Sequence, residues 1–298
     1  MTRSRRARWV LPLQVTADGS YTFFSPEFGE CFHSQSGAQQ EAVQKFVEPC
    51  QLSQRAHDLP SGATICLLDI CYGLGYNSAA ALAAIWAVKP RARVAIAALE
   101  LTATVPQQAV EQGLLALWPP AIARPLSDLA RDRAVETEHL HAQLWLGDAR
   151  QTLPQLQASG FRADAIFLDP FSPPRCPALW TPEFLGWAAR CLRPTGRLAT
   201  YSCAGAVRTA LLTAGLHLSE TPAVGRRAPG TVASFDATGL PPLSPRSQEH
   251  LQTRAAVPYR DPDLCDSAAE IVARRRAEQA ASNLEPTTRW KRRWANPQ

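Results

Sequence analysis

The stretch DAIFLDPFSPP, Asp164–Pro174, decides the fold. It begins with the apolar run Ala165-Ile166-Phe167-Leu168, which has the composition and length of a buried strand. The run ends at Asp169, and Pro170 follows at once, with Pro173 and Pro174 close behind. Proline has no N–H to give a ladder and pushes the residue before it toward extended backbone, so the strand must stop near Asp169. A carboxylate at the carboxyl end of a buried parallel strand stands where open α/β sheets bind their ligands. Aspartate is also a common turn residue at strand ends, so this stretch alone leaves both readings open.

A second stretch, about a hundred residues earlier, tips the balance. Ala63–Ile70, ATICLLDI, is another continuous apolar strand, and CYGLGYNSAAALAAIWAV follows it. Strand, Asp69-x-x-x-Gly73-x-Gly75, then an alanine-rich helix is a nucleotide-type turn. Glycine lets the backbone pass close to a ligand, and the helix N-terminus adds partial positive charge. Asn77, just after the turn, is a candidate cofactor contact, and Tyr76 either touches the cofactor or packs. The next predicted strand, Arg93–Glu100, ends in Glu100, suited to accepting both hydroxyls of a ribose. A short third strand, Gln143–Leu146, runs into Gly147-Asp148, which places Asp148 near an adenine amine. Asp169 ends the fourth. Four acids on one rim would repel a pyrophosphate carrier. They would attract S-adenosylmethionine, whose sulfonium and amino groups are positive.

Strand and helix alternate through the middle of the chain. Helices are expected near Gln107–Leu117, with Pro119-Pro120 as a break, over Pro182–Leu192 with Thr181 as N-cap, and over Ala204–Thr213. Arg193-Pro194-Thr195-Gly196 reads as a turn before a fifth strand, Arg197–Ser202, and Leu216–Glu220 and Thr231–Asp236 as the last strands. This predicts an α/β fold, a mostly parallel sheet with helices on both faces. Residues 1–50 read as a β-rich leading or lid segment, with a hairpin of Val10–Val15 and Ser20–Phe24 about Asp18-Gly19 and a helix from Ala38. Residues 51–239 form the Rossmann-like domain. Past Gly239, Pro241, Pro242, Pro245 and Pro258 look like a linker, followed by a charged helix near Ser267–Ala281 and a basic end, so 240–298 is a C-terminal extension.

Bulk composition sets the class. Of 298 residues 46% are hydrophobic and 19% charged, an ordinary globular balance with ample core material. No apolar run is long enough for a membrane helix, and no signal peptide is read. The eight cysteines lie largely in apolar runs without CxxC spacing, which points to reduced thiols of a cytoplasmic protein and argues against a metal site. Of 31 basic residues, eight sit at the two ends: Arg3, Arg5, Arg6 and Arg8, then Arg289, Lys291, Arg292 and Arg293. The other 23 face 26 acids. Such ends are either solvated tails or a phosphate-binding footprint. Trp290 and Trp294 in RWKRRW suit stacking on nucleic acid or packing onto the domain, and the sequence is compatible with either.

The order of features resembles a class I S-adenosylmethionine-dependent methyltransferase. More specifically, five stretches resemble the methyltransferase part of the MnmC family, over roughly residues 18–236. They are DGSYTFFSPEFGECFHSQSGA, the GLGYN turn, DAIFLDPFSPPRCPALWTPEF, GRLATYSCAGAVRTALLTAGL and VGRRAPGT. Ala204–Arg208 matches that family's Ala-Gly-x-Val-Arg, and Asp164–Phe184 its FLD strand, aromatic-Ser/Ala-Pro loop and Leu-Trp pair. The chain departs from the family at Cys71, where the first glycine of the cofactor turn is usual, and at Pro170, where Leu-Asp-Gly-Phe is common. It looks like the stand-alone form without a flavin oxidase domain, and its extension past 240 matches no part of the pattern.

The resemblance implies a tRNA enzyme acting at the anticodon stem-loop. It would convert the 5-aminomethyl group of the wobble uridine to 5-methylaminomethyl. Asp169 is then the catalytic residue, binding the amine and taking or passing on its proton. Phe171 and Trp180 are candidate walls for an extruded base, with ordinary core packing the competing reading, above all for Trp180; Arg208 is a candidate contact either to phosphate or to an acid. His33, with Ser34, is polar in an aromatic neighbourhood and either lines the pocket or is structural; it stays out of the catalytic set. Three alternatives compete: an aminopropyltransferase-like enzyme, a DNA amino-group methyltransferase suggested by Asp-Pro-Phe-Ser, and a non-catalytic tRNA-binding protein. Retention of Asp69, Glu100, Asp148 and Asp169 favours an active enzyme.

Overall fold

The computed structural model describes residues 10–223 and 228–295. The basic cluster at Arg3–Arg8 lies outside the described residues, as does the VGRR stretch at 224–227. Strands are β1 Leu13–Val15, β2 Tyr21–Ser25, β3 Glu30–Cys31, β4 Thr64–Ile70, β5 Arg93–Glu100, β6 Ala134–Glu136, β7 Leu140–Leu146, β8 Ala163–Leu168, β9 Leu192–Thr200, β10 His217–Glu220 and β11 Thr231–Ser234. The helices are α1 Ala38–Glu41, α2 Leu52–Asp58, α3 Tyr76–Val88, α4 Thr104–Glu111, α5 Pro120–Asp132, α6 Ala149–Ala158, α7 Pro182–Arg190, α8 Gly205–Thr213, α9 Pro245–His250, α10 Ala268–Ala281 and α11 Thr287–Ala295.

Eight strands form one sheet in the order β10-β11-β9-β8-β4-β5-β7-β6. β7, β5, β4, β8 and β9 are parallel, while β6, β11 and β10 join antiparallel. The chain leaves β4 toward β5 and β7, then returns to β8 on the other side. The switch point, where such sheets bind ligands, therefore lies between β4 and β8. The predicted α/β class holds. β9 crosses through α8 to β10, which runs with the parallel set; β11 then turns back between them, antiparallel to both, a pairing that needs no crossover helix.

The sheet separates two cores. Along β4, Ile65 and Leu67 join the core that contains α3, and Leu68 and Ile70 join the opposite one. Strand side chains alternate, so Asp69 follows Leu67 toward α3, and Asp169, two residues past Phe167, follows the same parity. α3 is buried along most of its length, so its run of alanines is what allows it to lie close between the sheet and α2.

Several local expectations change. The break at Pro119-Pro120 holds, but Pro120 also opens α5 at its first turn, because an N1 proline gives up an N–H that would be unpaired anyway. β6, which follows α5, has no counterpart in the sequence reading. β9 begins at Leu192, so Arg193–Gly196 is an irregularity within a strand, set against Ala163 and Ala165 of β8. The leading helix continues from α1 into a π-helical stretch, Ala42–Val47. Residues past 240 are not a free linker: Leu243, Tyr259 and Ile271 are buried in the second core. Among the described residues, no helix is long and apolar enough to cross a membrane.

Candidate active site

A cavity of about 590 Å³ opens at the carboxyl edge of the central strands. Gly73, Glu100, Asp148 and Asp169 line it, together with Phe28, Phe32 and Phe171. Three of the four strand-end acids thus share one rim. The fourth, Asp69, does not reach it.

Asp69 lies beneath the glycine turn, 0% exposed, and accepts a 2.7 Å hydrogen bond from Ser78 Oγ in the first turn of α3. Its other oxygen, Oδ1, has no hydrogen-bond partner among the described residues. Burial pushes its carboxyl up to about 7, against the Ser78 hydrogen bond, which favours the charged form. Asp69 holds the turn from below. Above it, Cys71, Gly73 and Gly75 all take left-handed backbone, at φ 69°, 55° and 83°. Glycine reaches this region without strain, whereas Cys71 holds it against the clash of a Cβ. At Gly75 a Cβ would lie 2.5 Å from the Tyr72 hydroxyl, so that position also needs the missing side chain.

Glu100 closes the turn from the next strand. Its carboxylate accepts from Gly73 N at 2.9 Å and from Leu101 N at 2.9 Å. Burial raises its proton affinity, partly offset by these backbone donors. Asp148 is the N-cap of α6, accepting from Arg150 N at 2.9 Å. The Arg150 guanidinium also clasps it, with Nη2 2.7 Å and Nε 3.0 Å from Oδ2. Burial works against the Asp148 charge, but the Arg150 contacts win and hold its carboxyl below the ordinary value. Arg150, another cavity-lining residue, was not singled out in the sequence. Nothing short of the fold shows that a side chain two residues past an N-cap turns back onto it.

Asp169 sits at the switch point. Its N–H donates to Ile70 O at 3.2 Å, and Oδ2 accepts from Asn77 Nδ2 at 2.9 Å. Asn77 is buried in α3, so the cofactor turn and the Asp169 loop are directly linked. The loop itself is pinned by two donors: Tyr201 Oη to Pro170 O at 2.8 Å and Trp180 Nε1 to Phe171 O at 2.9 Å. Phe171 stacks on Phe28 with centroids 4.3 Å apart and meets Phe32 edge-on at 4.9 Å. Ser172 donates to Glu30 through both N–H and hydroxyl, so the leading β segment supplies one wall of the cavity.

Two expected substrate contacts are elsewhere. Trp180 is 0% exposed and packs in the second core, so it supports the loop from behind and offers no face to a base. Arg208 is 1% exposed. It donates to Thr231 Oγ1 at 3.1 Å, to Gly230 O at 3.3 Å and to Glu220 at 3.3 Å, tying α8 to β10 and β11, and it does not line the cavity. His33 is buried against Tyr76, ring centroids 5.1 Å apart, and burial lowers its pKa to about 4, in keeping with a structural histidine.

The C-terminal indoles pack onto the domain. Trp290 is buried, stacks with His250 at 4.5 Å and sits beneath Arg246. Trp294 Nε1 donates to Glu249, and Arg293 pairs with Glu249 and Glu285. Arg289, Lys291 and Arg292 remain on the exposed face of α11.

A protein-family model described as S-adenosyl-L-methionine-dependent methyltransferase matches residues 110–236. The crystal structure of MNMC2 from Aquifex aeolicus superposes with a TM-score of 0.78 at 33% identity, covering 93% of this chain and 87% of that one. The chain belongs to the MnmC methyltransferase family. S-adenosylmethionine is accordingly its cofactor, and the acid-lined rim suits a ligand with two positive centres. A Pseudomonas aeruginosa relative, the tRNA 5-methylaminomethyl-2-thiouridine biosynthesis bifunctional protein MnmC, is 30% identical over 266 residues, 84% of this chain and 40% of that protein. The chain thus spans about two fifths of the length of that curated relative. An uncharacterized protein of Methanocaldococcus jannaschii is 28% identical over 274 residues, covering 87% of this chain and 70% of that one.

Proposed function

We propose that the chain methylates the amine of a 5-aminomethyl group on the wobble uridine of tRNA, giving 5-methylaminomethyl. The observation that carries this reading is the pairing of Asp169 with an aromatic wall in one cavity. Asp169 is fixed by Asn77, and Phe171, Phe28 and Phe32 stand beside it. An alkyl amine is mostly protonated at neutral pH, and an ammonium has no lone pair with which to attack. A carboxylate held at a fixed angle binds the ammonium, orients its nitrogen and accepts the proton. The cofactor supplies an electrophilic methyl group on a sulfonium. In this reading Glu100 and Asp148 hold its ribose and adenine ends, and Asp69, Gly73, Gly75 and Asn77 shape the turn around it. Most of the acceleration then comes from holding the nitrogen in line with the methyl carbon. Phe171 provides a surface for the uracil once it has left the anticodon stack.

Residues 51–239 form the catalytic domain, flanked by the leading segment 1–50 and the extension 240–298. The exposed Arg289, Lys291 and Arg292 supply a phosphate-facing surface for the anticodon stem-loop. The test is methyl transfer from labelled S-adenosylmethionine to bulk tRNA from cells lacking wobble methylation, with nucleoside analysis. Label in 5-methylaminomethyluridine is expected. Label in a small amine or in protein, with none in tRNA, would keep the cofactor and discard the acceptor.

A further inference from the structure

Asp261 lies 111 residues from Arg150 in sequence, in the C-terminal extension, yet the two meet at 2.8 Å. Asp261 is 0% exposed, and it does not line the cavity. Its Oδ1 accepts from Cys265 N at 3.0 Å and Asp266 N at 3.1 Å, and Oδ2 faces Arg150 Nη1. The same Nη1 donates to Asp266 O at 2.9 Å. The turn that presents these acceptors holds Leu264 at φ 54°, a left-handed conformation that a leucine keeps only when its surroundings impose it. A second anchor lies alongside: Glu183 of α7 accepts from Asp261 N at 3.2 Å and pairs with Arg260. The guanidinium of Arg150 is therefore gripped on two sides. Nη1 belongs to the extension, while Nε and Nη2 belong to Asp148 on the cavity rim.

We propose that Asp261 is a positioning residue for the cofactor: by fixing Arg150 it orients Asp148 at the adenine end of the cavity, so cofactor recognition depends on the docked C-terminal extension. Three strand spacings separate β8 from β7, so Asp148 lies roughly 14 Å across the sheet from the Asp169 end, far enough to act on the purine and not on the methyl. Arg150 between two carboxylates leaves a net charge of −1 and a rigid frame. Without Asp261 the frame becomes a neutral pair whose Nη1 side keeps only the Asp266 carbonyl, and Asp148, still bonded to the Arg150 N–H, loses the rigid guanidinium that sets its second oxygen. An Arg–carboxylate fork is directional, so this loss falls on the hydrogen-bond angle to the purine more than on long-range attraction.

The proposal rests on the cofactor assignment and on Asp148 meeting the adenine amine. Its test uses the full chain, calorimetry and two probes, S-adenosylhomocysteine and S-inosylhomocysteine. The second carries a carbonyl in place of the amine. Wild type is expected to prefer the adenine compound. Asp261→Asn and Arg150→Lys are expected to weaken S-adenosylhomocysteine at least about tenfold and to erase most of that preference. Asp263→Asn, an exposed acid of the same turn, is expected to leave both unchanged. Circular dichroism and melting of the ligand-free chains show whether each variant folds. If Asp261→Asn does not fold, Arg150→Lys decides. A folded variant with a lowered melting point but unaltered affinity and preference would reduce the contact to a structural staple and overturn the proposal. A wild-type chain that binds neither probe would overturn the cofactor assignment itself, and the proposal with it.

Discussion

Replacing Asp69 by asparagine should stabilise the ligand-free protein at pH 8 and do little at pH 4. The carboxyl is wholly buried, one oxygen is satisfied by Ser78 and the other is unpartnered among the described residues. Burial pushes its pKa from 3.8 to about 7. A folded-state value above the unfolded one means that the native protein holds a proton that the unfolded chain has released. The favourable contribution is complete below pH 3.8, is lost as pH rises, and is gone above about pH 7. About three pH units at about 1.4 kcal/mol each give ~4 kcal/mol. Asparagine keeps the oxygen that Ser78 needs and never ionises. Urea unfolding of both proteins between pH 5 and pH 8 should show the variant gaining on wild type, from about 2 kcal/mol to about 4 kcal/mol. A difference that stays flat with pH would refute the reasoning, because it would mean that Asp69 is ionised in the native state or not differently protonated on unfolding.

Asp169→Asn should leave S-adenosylmethionine affinity nearly intact in calorimetry while methyl transfer to tRNA falls ~100-fold or more; a variant of near-normal rate would remove Asp169 from proton handling. Changing Arg289, Lys291 and Arg292 together to alanine should make the log–log salt dependence of tRNA binding shallower by about 2, with Trp290, Arg293 and Trp294 keeping α11 in place. An unchanged slope in filter binding would return that face to bulk solvent. Arg208→Met should cost roughly 3 kcal/mol in chemical denaturation, since it strips a buried cation from Glu220, Thr231 and Gly230. A loss confined to tRNA affinity would place Arg208 at the substrate after all.

What could be read from the chain was whatever local chemistry enforces. Apolar runs ending in Asp169, Glu100 and the Gly147-Asp148 pair gave the central strands and the rim they share, and Thr181 followed by Pro182 gave the start of α7 with its cap. Pro119-Pro120 does break the helical run, but proline also begins helices, and only the packing of Ile122, Leu126 and Leu129 against the first core shows that α5 starts there. Trp180 and Arg208 were legible as residues with chemistry but not in direction: both belong to a motif, and both turn inward. The extension was opaque for a different reason. Its prolines look like a linker, while its anchors, Tyr259, Asp261 and Ile271, find their partners in distant parts of the sequence.

That long-range contact also orders events in the making of the protein. Translation delivers the strands of the sheet first, and Arg150 can close on Asp148 as soon as α6 has formed. Asp261 leaves the ribosome more than a hundred residues later. A nascent chain halted before that point has its glycine turn and its Asp169 loop, yet its guanidinium lacks one of its two carboxylates. The rim's own residues are in place early, and the second support of Arg150 comes only with the extension.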